Sequence, residues 1–196
     1  LVTPRPDPQV LVCGGTSANI LRSCLSYSLP AGQWLFHSSL RTPRYRAGGA
    51  SLQGGSNPGS YILGGWQTEG SEFLPRGSRE WEEGPQLPAG GWLGGPCVLA
   101  VGPTTLLLVG GYDGGIETDA IHEYDSQSGV WSTWLNSLAT GRYGHACQLL
   151  GGEVVVAGGE TGSGVTRTTE VLTLETREVR GAGDMATPRI GFGMFL

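Results

Sequence analysis

Leu108-Val109-Gly110-Gly111-Tyr112-Asp113-Gly114-Gly115 ends an apolar run on a glycine doublet and continues into polar, glycine-rich chain. The same closure occurs three more times, at Val12-Cys13-Gly14-Gly15, Ile62-Leu63-Gly64-Gly65 and Val156-Ala157-Gly158-Gly159. The doublets follow one another at intervals of 50, 46 and 48 residues. A period of this size marks a repeat architecture, in which one supersecondary unit is copied and stacked. Function then becomes a property of a surface built from equivalent loops.

Working outward from the doublet, the rest of the period is shared. An alternating segment such as Ala120-Ile121-His122-Glu123-Tyr124 follows, then a turn, then a tryptophan: Trp34, Trp81 or Trp131, with Val179 in the fourth period. Ten or eleven residues later stands an arginine: Arg44, Arg142 or Arg189. Pro88-Ala89 occupies that place in the second period. Short apolar or alternating runs bounded by glycine read as strands. No stretch keeps a helical period for ten residues without a glycine or proline break. Each period is expected to hold four strands: one after the arginine, one ending at the doublet, one alternating, and one bearing the tryptophan. The chain enters on the second of these, and its last strand is expected at Gly191–Leu196. That makes 16 strands, or four units of four. The last strand either completes the first unit, closing the array, or belongs to an open fragment of a longer one.

Composition narrows the function classes. The chain has 196 residues and a net charge of −5, which disfavours nucleic acid and anionic membranes as partners. All 12 basic residues are arginine, so no phosphate-loop lysine, Schiff base or Ser-Lys dyad exists. No apolar run reaches the length of a membrane-spanning helix. The start Leu1-Val2-Thr3-Pro4 reads as that of a processed or excised piece. Four cysteines match neither a dense disulfide scaffold nor a zinc motif. Cys13 and Cys24, on consecutive strands, are either bridged or buried thiols. Asn57 is followed by proline, and Asn19 and Asn136 lack a hydroxyl residue two places on. No glycosylation sequon results, which favours a cytoplasmic setting and leaves an extracellular one open.

Gly110-Gly111-Tyr112-Asp113-Gly114-Gly115, Ile121-His122-Glu123-Tyr124-Asp125, Gly129-Val130-Trp131 and Gly141-Arg142-Tyr143-Gly144-His145 together resemble a kelch repeat. The resemblance spans nearly the whole chain, in repeats of about 9–44, 45–89, 90–142 and 143–196. It implies an all-β kelch-type β-propeller of about four blades of four antiparallel strands, either closed or part of a larger ring. The second repeat departs most, since Glu72-Phe73-Leu74-Pro75 carries a proline that suggests an irregular or outer strand. The resemblance also implies a protein-interaction module, such as a ubiquitin-ligase substrate receptor or a scaffold, without catalysis or cofactor. The runner-up it implies is a galactose-oxidase-like copper enzyme, or another extracellular kelch protein.

The candidate partner-binding residues are Arg44, Arg142, Arg189, Trp66 and Tyr112. In kelch propellers arginines at this position lie near the channel mouth, and some bind acidic peptides; a planar guanidinium suits carboxylates. The competing reading gives each arginine to a neighbouring blade. Trp66 and Tyr112, like Thr16 and Glu160, directly follow a doublet and are expected on the loop face, where exposed aromatics anchor partners. Gly14, Gly15, Gly64, Gly65, Gly110, Gly111, Gly158 and Gly159, with Trp34, Trp81 and Trp131, are read as structural. The tryptophans are expected between blades. His145 is read as structural, and His37 and His122 fall on outer strands. No metal set is visible, and the glycine loops lack the helix and lysine of a phosphate cradle. Glu80, Glu82 and Glu83 read as a solvated outer edge.

Overall fold

The computed structural model describes residues 9–88 and 90–195. Among them there is no helix, and 17 strands form antiparallel sheets. The first sheet holds β1 (Gln9–Cys13), β2 (Cys24–Ser28) and β3 (Gln33–His37), in that order. The second holds β4 (Gly48–Leu52), β5 (Gly59–Leu63), β6 (Ser71–Pro75) and the two-residue edge β7 (Glu82–Glu83). The third is β8 (Cys97–Ala100), β9 (Thr105–Tyr112), β10 (Glu117–Asp125) and β11 (Val130–Thr133). The chain continues through β12 (Ala146–Leu150), β13 (Glu153–Ala157), β14 (Glu160–Thr161), β15 (Gly164–Val165), β16 (Thr169–Thr173) and β17 (Glu178–Ala182). The fourth sheet orders these as β12-β13-β16-β17, with β14 and β15 as a separate small hairpin.

Each sheet covers the next. Cys24 and Leu40 meet Leu74 and Trp81 between the first and second sheets. Tyr61 and Leu63 meet Leu106, Leu108 and Tyr124 between the second and third. Leu107, Val109 and Ile121 meet Val154, Val156 and Leu172 between the third and fourth. The central run Leu106-Leu107-Leu108-Val109 is therefore buried on both faces and does not alternate. On β1 only one face is covered: Val10 and Val12 are exposed while Leu11 and Cys13 pack against the next sheet. Fully burying each large apolar side chain contributes about 1.5–3 kcal/mol, so these three layers dominate the stability.

One hydrogen bond repeats four times and explains the doublets. The second glycine of each donates its N–H to a carbonyl about thirty residues on: Gly15 to Arg44, Gly65 to Leu93, Gly111 to Arg142 and Gly159 to Arg189. All eight glycines have positive φ. A Cβ on Gly110 or Gly158 would stand 2.6 Å from the carbonyl oxygen of Arg142 or Arg189. Only glycine allows both the left-handed turn and this close approach.

Several expectations are corrected. Leu93, not Pro88-Ala89, holds the arginine position of the second repeat, since Leu93 is the residue whose carbonyl receives Gly65; Ala89 lies outside the described residues. The proline of Glu72–Pro75 does not break its strand. Pro75 is the last residue of β6, where an absent N–H costs least, and Ser71–Pro75 pairs throughout with β5. The strand expected at Gly191–Leu196 is absent among the described residues 191–195, and Leu196 lies outside them. Instead Gly191 donates to Gly144 O and the Phe192 ring lies over Gly158. The first sheet keeps three described strands, and β1 pairs only with β2.

The tryptophans divide. Trp81 is buried between the first two sheets, and Trp131 packs against the second layer beside Tyr124. Trp34 is 50% exposed and touches Tyr27 edge-on, because no described sheet covers that face. All four cysteines are bonded. Cys13–Cys24 bridges directly paired residues of β1 and β2 (Cα–Cα 4.1 Å). Cys97–Cys147, which the sequence reading did not contain, ties β8 to β12 across two sheets (Cα–Cα 6.1 Å).

Candidate interaction site on the loop surface

The same repeat geometry assembles the site. The residue after each of the last three doublets meets the residue after the arginine position of the preceding repeat. Trp66 N–H donates to Tyr45 O, Tyr112 exchanges two backbone bonds with Gly94, and Glu160 exchanges two with Tyr143. Side chains from successive repeats are thus placed side by side. Trp66 stacks on Tyr112 at 5.2 Å between ring centroids, with 14° between planes. Trp92 lies 5.3 Å from Trp66 and 5.8 Å from Tyr112. Tyr143 lies 5.7 Å from Trp66 and 5.6 Å from Tyr112. Four half-buried rings form one continuous platform. Gly94 makes room for it: a Cβ there would stand 2.6 Å from Trp66 Cε3.

Charged groups border the platform. The exposed Arg46 guanidinium sits over the Trp66 ring, 5.2 Å from its centroid. Tyr143 donates its hydroxyl to Glu160 Oε2 at 2.6 Å. That bond, helped by burial, pushes the phenol up to about 12, so Tyr143 is neutral at physiological pH.

Arg46 is the departure within the repeats. Two residues after the arginine position the other repeats have Gly95, Gly144 and Gly191, with φ of 62°, 63° and 66°. Arg46 has φ 52°, in the same left-handed region. These four residues form a chain of hydrogen bonds: Gly95 N–H to Arg46 O, Gly144 to Gly95 and Gly191 to Gly144. The conformation is imposed by this ladder, and a non-glycine residue there costs about 1–3 kcal/mol. Gln67, next to Trp66, is also left-handed at φ 55°. Beside the ladder lies a cavity of about 260 Å³ lined by Arg46, Gly95, Gly144, His145, Ile190 and Gly191.

The predicted site residues separate into two groups. Trp66 and Tyr112 lie together in the platform. Arg44 and Arg142 do not reach it; they are 3% and 1% exposed. Arg44 donates to Gly64 O, Gly70 O and Glu72, and Arg142 to Gly158 O, Thr168 O and Glu170. Both guanidiniums serve ion pairs with the following sheet, at 3.0 Å and 2.6 Å, and neither is open to a partner's carboxylate. Burial works against the charge on Arg44, and Glu72 offsets it. Arg189 is exposed. Thr16 is exposed and bridges to Ile20, away from the platform. Glu82 and Glu83 form the exposed edge strand β7.

Trp92, Tyr143 and Arg46 were not singled out from sequence. Arg46 was detectable there, because aligning the repeats sets one arginine against three glycines. Among the described residues no three His, Cys, Asp or Glu side chains gather in a metal-binding group. His145 is buried, and desolvation with help from Arg142 lowers it to about 3. Comparison with protein-family models and with curated proteins finds no match for this chain.

Proposed function

We propose that the four sheets are blades of a kelch-type β-propeller and that its loop surface is a protein-recognition site. The Trp66–Trp92–Tyr112–Tyr143 platform supplies the apolar anchor, and Arg46 takes an acidic side chain of the partner. Arg46 carries this reading. A strained arginine stands where three repeats use glycine, and its guanidinium is held at the edge of an aromatic surface. Strain of this kind persists where something other than stability is served. Rigid aromatic rings and an arginine are the residue types that dominate protein interfaces.

Two cysteine pairs within bonding distance support a secreted or lumenal setting in this proposal, because disulfides persist in an oxidising environment. A scaffold role, rather than that of a ubiquitin-ligase substrate receptor, is the form of this recognition that fits an oxidising compartment.

Selection from a displayed library of acidic peptides that also carry aromatic residues tests the site. Arg46→Gly and Trp66→Ala should each weaken the selected peptides at least tenfold while still unfolding cooperatively, Arg46→Gly with a melt raised by relief of its backbone strain and Trp66→Ala with a lowered one. Peptides that bind both variants as tightly as the parent would place recognition elsewhere.

A further inference from the structure

Two packing tryptophans have partners for their indole N–H groups. Trp81 donates Nε1–H to Ser38 O, and Trp134 donates to Glu123 Oε2. The platform differs. No described group accepts from Trp66 Nε1 or Trp92 Nε1, and neither nitrogen is sealed from solvent. No described carboxylate pairs with the Arg46 guanidinium beside them. An indole nitrogen only donates. The platform therefore offers two donors and a cation to a partner that brings acceptors and negative charge.

The main chain beneath the rings is already engaged. Trp66 N–H goes to Tyr45 O, and Trp66 O accepts from Thr68 Oγ1. Tyr112 exchanges two bonds with Gly94, Tyr143 exchanges two with Glu160, and Trp92 pairs with Glu69. A partner strand finds no open edge here to extend. A partner helix spends its carbonyls on its own ladder, so its apolar face would cover both indole donors without supplying acceptors. A proline-rich segment in the extended left-handed conformation meets both conditions. Its carbonyls make no internal hydrogen bonds, and its prolines bring no N–H that would need an acceptor. The Ala47, Pro96 and Ile190 side of the neighbouring cavity is an apolar seat for one of its rings.

We propose that the platform binds a proline-rich, extended segment of its partner, with Trp66 and Trp92 donating to main-chain carbonyls of that segment and Arg46 pairing with an acidic residue in it. The rings then act as hydrogen-bond donors as well as apolar surface, and they select a backbone conformation besides a charge. This inference rests on the reading of the loop surface as a recognition site.

Two displayed peptide libraries of equal length, each with one fixed glutamate, test it when offered together: one has proline at every third position, the other has none. The selected peptides should come from the proline library. Trp66→Phe and Trp92→Phe, which keep a ring and remove the donor, should each weaken them about tenfold by calorimetry. In the unaltered protein the Trp66 and Trp92 indole N–H resonances should move downfield as the peptide is added, a readout that needs no variant to fold. Proline-rich peptides that bind and leave both resonances in place overturn the proposal. Proline-free peptides weakened by Trp66→Ala overturn it too, while leaving the loop surface as the recognition site. Selected peptides indifferent to both Trp66→Ala and Arg46→Gly overturn the proposal and that reading together.

Discussion

Gly110 and Gly151 have nearly the same backbone, with φ of 57° and 58°, and differ in their surroundings. A Cβ on Gly151 meets nothing within 4 Å. A Cβ on Gly110 stands 2.6 Å from Arg142 O and 2.8 Å from His145 Cε1. Both changes to alanine carry the left-handed penalty of about 1–2 kcal/mol. Alanine restrains the unfolded chain more than glycine does, which returns about 0.4–1 kcal/mol. Gly151→Ala should therefore cost about 0–1.6 kcal/mol. Gly110→Ala adds overpacking against a backbone oxygen, about 1–3 kcal/mol. That oxygen is also the acceptor for Gly111 N–H at 2.8 Å, so relieving the clash weakens a further bond worth about 1 kcal/mol. The sum is about 2–6 kcal/mol. Urea unfolding of the two variants, monitored by tryptophan fluorescence at constant m-value, gives the difference directly. Equal losses would show that the doublet is selected for φ alone and that the four-fold glycine-to-carbonyl contact does not govern it.

Three further outcomes are expected. Arg142→Met leaves Glu170 buried without its cation and should destabilise by about 3–5 kcal/mol, with Arg142→Met/Glu170→Leu recovering much of that loss in a double-mutant cycle. His145 is held near 3 in the folded protein against an ordinary 6.5, so the unfolded chain binds the extra proton first. Its contribution is complete above pH 6.5 and is lost as pH falls toward 3, at about 1.4 kcal/mol per pH unit, and His145→Asn should flatten the stability profile in that window. Removing Cys97–Cys147, whose ends are 50 residues apart, should cost about 4 kcal/mol by loop entropy, against about 3 for Cys13–Cys24 at a separation of 11. Chemical denaturation of the two serine pairs orders them.

The periodicity determined much by itself. Strand class, the place of each doublet and the four-fold repeat follow from glycine and apolar spacing, because backbone turns and side-chain alternation are local properties. Trp66 and Tyr112 were legible as equivalent loop residues for the same reason, since a repeat copies the position after each doublet; their stacking is seen only in the structure. Other features depended on which surfaces meet. Arg44 and Arg142 have the same flanking pattern as Arg189, yet two are buried in ion pairs and one is exposed, because a following sheet with a glutamate covers the first two. Trp34 and Trp81 share a repeat position, and only Trp81 has a sheet packed over it. Cys97 and Cys147 meet only because β8 and β12 stand side by side. A local pattern fixes what a residue can offer, and the fate of its side chain is set by whatever surface packs against it, often from 20 to 50 residues away in the chain.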